Sequence, residues 1–236
     1  MASSRRDVLI TLGALACLDA RADEATSTTL PQLQAQLVAT GLYLITGGGG
    51  NSLLRFSANG LVLVNGKSPE SYRPLMSQVR KINKLSDMPL RALILTNARD
   101  PQAANSARFA AAKVAIVVQA NAAPRLTESA AALISFDRDY SLKLGGVEIQ
   151  AKYFGKAATD ADAIVYFADK KVVAVGDLYS PGAPQPDPAN GGSLAGWSAA
   201  LAQVLALDFD QAVPNEGPII GRAELLAFKQ RLDASA

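Results

Sequence analysis

No histidine occurs anywhere in the 236-residue chain. Neither an imidazole base nor an imidazole metal ligand is therefore available. What remains for chemistry is oxygen, amine and guanidinium. Carboxylates and carboxamides suit hard cations such as Mg²⁺, Ca²⁺ or Mn²⁺. A hydroxyl nucleophile would need a Ser–Lys pairing, because there is no histidine to activate it and no Gly-x-Ser-x-Gly elbow to expose it. The sequence names no such pair. The glycines from Gly47 to Gly50 suggest a phosphate cradle, but no helix starts there and no Lys-Ser/Thr follows directly, so the run reads as a hairpin connection. Asp177 follows Gly176 at a strand end, where it either accepts backbone N–H groups in the turn or serves a site. Asp160 and Asp162 read as turn formers. Trp197 reads as core, or as a groove wall.

The elements that must position these residues are legible from periodicity. Gly41 to Thr46 is a short β-rich run ended by the glycines, and Ser52 to Phe56 turns at Ala58-Asn59-Gly60 into Leu61 to Val64, a strong hairpin signal. Ser68 is placed to cap a helix with Pro69 in its first turn, and Tyr72, Leu75, Met76, Val79 and Ile82 recur at helical spacing. Arg91 to Thr96 and Val114 to Val118 are unalternating apolar runs, the mark of buried strands. A polar loop, 97 to 102, and a helix over Ala103 to Ala112 lie between them. The first half closes near Ile134 to Phe136. In the second half Ser141 to Leu144 pairs with Val147 to Phe154 across Gly145-Gly146, and Ala163 to Phe167 pairs with Val172 to Val175 across Asp169-Lys170. A long Pro- and Gly-rich loop (180 to 192), a helix over Leu194 to Leu207, a short strand over Gln211 to Val213 and a helix over Arg222 to Leu232 complete the chain. This order predicts an α/β domain in which two sheets pack together beneath outer helices.

Composition narrows the class. Net charge is +2, with no basic stripe to meet nucleic acid. At the N-terminus, Arg5 and Arg6 precede an uncharged stretch from Val8 to Leu18, and Ala20-Arg21-Ala22 supplies small residues around a cleavage point. This is the layout of a secretory leader, residues 1–22, and the arginine pair favours twin-arginine export. The apolar run is shorter than the roughly 20 residues needed to cross a bilayer. Cys17 admits a lipoprotein reading, although Ala14-Leu15-Ala16 lacks the usual leucine. Cleavage before Asp23 would leave 214 residues with a charge of +1, once Arg5, Arg6, Arg21, Asp7 and Asp19 are removed, and without the chain's one cysteine. The mature protein is expected in the periplasm or outside the cell, with a flexible lead-in over 23–40, one domain over 41–236, no thiol chemistry and no membrane span.

From Gly41 to Leu232 the chain resembles the metallo-β-lactamase-fold hydrolases. The matching pieces, in order, are GLYLITGGGGNSLL, GLVLVNGK, Leu93 to Thr96 entering NARDPQAAN, GKAATDADAIVYFADKKVVAVGDLYS, and VPNEGPI. The resemblance implies a four-layer αββα sandwich. It also implies a zinc site in a groove at one edge of the paired sheets, built on a His-x-His-x-Asp-His loop with later histidines and an aspartate. Here those loop positions are Asn97, Arg99, Pro101 and Gln102. Ala158 and Glu216 stand at the later histidine positions and Asn65 stands where an aspartate ends the first long strand. Of the liganding residues only Asp177 remains, whereas Thr96, Asn105, Thr159, Asp162, Gly176, Pro214, Gly217 and Pro218 keep the family's shape.

One aspartate does not hold zinc against water, so zinc is not expected and no cofactor is. A groove that keeps carboxylates after losing a dication needs another cation. Arg99 is the candidate plug, with Asp177 and Glu216 as partners and Lys67 as a second donor. Two functions follow. One is a non-catalytic protein that binds a small molecule or a protein partner in the old groove. The other is a hydrolase of an ester, amide or phosphoester, with Asn97, Asp100, Asp177 and Glu216 rebuilt into an oxygen site for Mg²⁺, Ca²⁺ or Mn²⁺. Convergence of those oxygens on one point would favour the metal, and a guanidinium at that point the binding protein. Glu216 and Asn215 also admit a reading as ordinary loop residues.

Overall fold

A computed structural model describes residues 31–126 and 132–235; the expected leader over 1–22, its expected cleavage point and Cys17 lie outside them. Alternation within the apolar runs decides the layering. The first sheet has seven strands in chain order: β1 (Gln34–Ala39), β2 (Leu42–Thr46), β3 (Ser52–Ser57), β4 (Gly60–Val64), β5 (Leu90–Ile94), β6 (Ala115–Gln119) and β7 (Leu133–Phe136). It is antiparallel as far as β4 and parallel beyond. The second sheet comprises β8 (Asp139–Leu144), β9 (Val147–Lys152), β10 (Ile164–Phe167), β11 (Val172–Gly176) and β12 (Gln211–Pro214), with β12 parallel to β11 at one edge.

Successive side chains on each strand face opposite ways. Leu44, Leu53, Val62, Val64 and Ile94 point between the sheets, where they meet Ile149, Ala163, Val165, Ala174 and Val213. Their neighbours Ile45, Leu54, Leu63 and Leu93 point outward onto helices α1 (Tyr72–Ile82) and α2 (Ser106–Ala111), through Leu75, Val79 and Phe109. On the other side Ile164, Tyr166, Val173 and Val175 meet Trp197, Leu201 and Val204 of α3 (Leu194–Leu205) and Phe228 of α4 (Arg222–Ser235). Three apolar layers separate four structural ones, so the chain is an αββα sandwich. Each Leu or Phe buried this fully contributes about 1.5–3 kcal/mol, which sets the sheet register firmly.

Three expectations about the elements need correction. The lead-in 23–40 contains β1, which pairs antiparallel with β2; most of its side chains are exposed, so it lacked an apolar signature. Ser68 does not cap α1. A short 3₁₀ turn, Pro69–Ser71, precedes that helix, and the Ser68 hydroxyl bonds Gly48 O at 2.9 Å instead. The expected ten-residue helix at 103 shrinks to α2, because Ala103 and Asn105 are held in the preceding turn.

Lys67 and the glycine run form one unit. Gly47, Gly48, Gly49 and Gly50 all have positive φ, and the resulting curl aims carbonyls inward. Lys67 Nζ donates to Ile45 O at 2.9 Å, Gly47 O at 2.8 Å and Gly50 O at 2.6 Å. Lys67 is only 1% exposed, and burial pushes its pKa down to about 7. All three N–H donors of an ammonium are nonetheless matched, which is what a buried lysine requires.

Candidate binding cleft at the carboxyl ends of the strands

Open α/β sheets leave crevices beyond the carboxyl ends of their strands, and four of these ends meet here. After β4, Asn65 takes a left-handed conformation (φ 62°), and its Oδ1 accepts from Thr96 N at 3.0 Å and Thr96 Oγ1 at 3.1 Å. Thr96 packs tightly on Gly176, where an added Cβ would lie 2.8 Å from Thr96 Oγ1. Glycine is therefore required at 176 for the two sheets to approach, and the next residue, Asp177, is turned toward the cleft mouth. After β12, Asn215 N donates to Gly176 O at 3.0 Å and Asn215 O accepts from Asn51 N at 2.6 Å. Together these ends border a cleft of about 340 Å³, further walled by Pro101, Ala158, Tyr179 and Trp197.

The Asp177 carboxylate is the hub. Asn97 Nδ2 donates to Oδ2 at 3.0 Å, Gln102 Nε2 donates to Oδ1 at 3.2 Å, and Arg99 Nη2 forms an ion pair with Oδ2. Asn97 Nδ2 also reaches Asp162 Oδ1 at 3.2 Å, while Asn97 Oδ1 accepts from Arg99 N at 3.0 Å. Asp162 itself is 2% exposed and accepts from Thr159 N. Burial and then the charge of Asp177 push the Asp162 carboxyl up to about 6. Partial burial works against the Arg99 charge, but Asp177, with Asp162 and Asp187 further off, holds the guanidinium above its ordinary value.

The predicted residues divide accordingly. Asn97, Arg99, Gln102 and Asp177 come together. Asp100 and Glu216 line the cleft but are exposed, and Glu216 makes no ion pair with Arg99, contrary to expectation. Lys67 is not a second donor in the cleft, because the glycine loop encloses its ammonium. The four proposed oxygen ligands do not converge either. Asn97 turns its N–H toward the carboxylates, and among the described residues no three carboxylates are gathered for a metal ion. Asp177 takes side-chain donors rather than the turn's backbone N–H groups. Asn215 ties the two sheets together through its backbone, bonding Gly176 O and Asn51 N, and Trp197 is both core and cleft wall at 2% exposure. Asp162 was missed as a site residue. Its bond from Thr159 N is the local turn contact expected of it, but its contact with Asn97, 65 residues away in the chain, is one that no local pattern encodes.

The chain has the metallo-β-lactamase fold. Solved structures similar to it include a metallo-beta-lactamase from Pontibacter korlensis, at 17% identity over 86% of this chain and 99% of that one, with a TM-score of 0.75. DIM-1 metallo-beta-lactamase follows at 15% identity, 88% and 100% coverage and a TM-score of 0.74. Metallo-beta-lactamase IND-7 gives 17%, 84% and 98%, with a TM-score of 0.70. No protein-family profile matches the sequence, and no curated protein sequence matches it significantly.

A zinc ion at the position the resemblance implies would need lone-pair donors around Asp177. The groups that reach this carboxylate are three N–H donors, from Asn97, Arg99 and Gln102. Two amides pointing their N–H groups inward and a guanidinium carry the wrong polarity for a cation. The residues present do not fit the metal.

Proposed function

We propose that this is an exported, non-catalytic binding or interaction protein, built on a hydrolase-type fold and using the former zinc groove as its binding cleft. The observation that carries the reading is the ion pair of Arg99 with Asp177, joined by Asn97 and Gln102. These donors stand at the positions where the resemblance puts zinc ligands. A guanidinium there neutralises the surviving carboxylate as a dication would, but it offers no vacant position to polarise water. The leader with Arg5 and Arg6 supports delivery to the periplasm, where such a protein would meet small molecules or partner chains. Hydrolysis assays test the reading. The full chain is incubated with a chromogenic cephalosporin, bis(p-nitrophenyl) phosphate and a thioester, each with and without added Zn²⁺, Mg²⁺ or Mn²⁺. No turnover above the protein-free control is expected. Metal-dependent turnover that disappears in Asp177→Ala would overturn the reading.

A further inference from the structure

We infer that the end of the molecule opposite the cleft docks on an anionic lipid bilayer, held by a cluster of cations and inserted through Leu85. The inference goes beyond the binding reading and does not rest on it. Helix α1 runs from the carboxyl end of β4 to the amino end of β5. Its last turn, the turn at 83–86 and Arg91 therefore lie at the end of the first sheet away from the cleft. Between Arg73 and Arg91 the sequence carries five cations and one acid, Asp87, in a chain whose whole net charge is +2. Arg80, Lys81, Lys84 and Arg91 are exposed, and none has an ion-pair partner among the described residues.

Leu85 stands in that turn at 100% exposure, while Ile82, Met88 and Leu90 on either side pack on the core. The turn is tied from within. The buried Asn83 accepts from Ser86 Oγ at 2.6 Å and from Met88 N at 3.1 Å, and its Nδ2 donates to Met88 O at 2.8 Å. Ser86 N and Asp87 N both donate to Asn83 O, at 3.1 and 2.9 Å. A leucine alone on a surface needs no explanation. One held at the tip of a hydrogen-bonded turn, with unpaired cations before and after it, matches both layers of an anionic bilayer: negative headgroups and an apolar interior. A nucleic acid would use the cations but offers the leucine nothing to enter, and four cations fall short of the stripe its backbone needs. Docked by this end, the chain holds its cleft open to the side away from the lipid.

The full chain is sedimented with vesicles of phosphatidylcholine and phosphatidylglycerol in equal parts, and with phosphatidylcholine alone, at about 0.1 M salt, where surface charges still act over about 10 Å. Binding to the anionic vesicles should exceed binding to the neutral ones by about tenfold or more. Each cation near such a surface contributes about fivefold, so Arg80→Gln/Lys81→Gln/Lys84→Gln should bind the anionic vesicles about a hundredfold more weakly. Leu85→Ser should bind them about tenfold more weakly. All four positions are exposed, so both variants keep the fold, which thermal unfolding checks. Equal binding to the two kinds of vesicle, or none to the anionic kind, would overturn the inference. So would a triple variant that binds as the parent does, which would place the attachment elsewhere in the chain. Parental binding by Leu85→Ser, or a DNA duplex that holds the chain as tightly as the anionic vesicles, would make this end a general polyanion surface and overturn the lipid assignment.

Discussion

Arg99 and Asp162 have opposite effects on the charge at the hub. Arg99 offsets Asp177, while Asp162 adds a second buried negative charge linked to it through Asn97. The Arg99 side chain is 40% exposed, so solvent screens the pair, and Arg99→Ala should cost about 1 kcal/mol at pH 7. The loss should shrink at pH 5, where protonation of Asp162 relieves the repulsion; urea unfolding at the two pH values measures both. Asp162 has a linkage signature of its own. The folded chain holds its proton up to about 6, against 3.8 ordinarily. The group's stabilisation is therefore complete below about pH 4 and is lost as pH rises through 6. The shift corresponds to about 3 kcal/mol at most. Asp162→Asn should flatten the stability profile between pH 4 and 6, and a profile identical to that of the parent chain would contradict the assignment.

At the scale of elements, the glycine curl and Lys67 hold the loop beside Pro101 and Asn215. Gly49 lies against Pro101 and Gly50 against Asn215, two residues of the cleft wall. At Gly48, with φ of 64°, an added Cβ would sit 2.5 Å from Ser71 Oγ and 2.7 Å from Leu33 Cδ2. Gly48→Ala should therefore destabilise the fold by about 2 kcal/mol or more, through strain and clash together. Lys67→Met removes the donor for three carbonyls at once and should cost about 2–4 kcal/mol. Thermal unfolding checks both, and a neutral Lys67→Met would show that the ammonium does not hold the loop.

Across the whole molecule, the layering was legible because Leu44/Ile45, Leu53/Leu54 and Leu63/Val64 alternate between two apolar environments, a pattern only a sheet buried on both faces produces. β1 was not, because Gln34 to Leu37 are exposed and an edge strand needs no apolar face. The hub residues were legible only through positions in a resembling family. Composition says that histidine is missing but not that Asn97, Arg99 and Gln102 would all turn onto Asp177. Lys67 was misplaced because nothing local shows the Gly47–Gly50 carbonyls folding over it. Removing residues 1–40 deletes the exposed edge strand and should cost about 1–3 kcal/mol while leaving one cooperative transition. Loss of cooperative unfolding would show that β1 is integral to the sandwich.

On the proposed reading, the Arg99–Asp177 pair stands where the resemblance puts a zinc ion. Elemental analysis of the full chain, expressed with zinc supplied and purified without chelators, tests it most directly. Zinc, magnesium, calcium and manganese should each lie well below one atom per chain, with unfolding unchanged by added EDTA. Metal near one atom per chain, lost together with stability on chelation and absent from Asp177→Ala, would contradict the account.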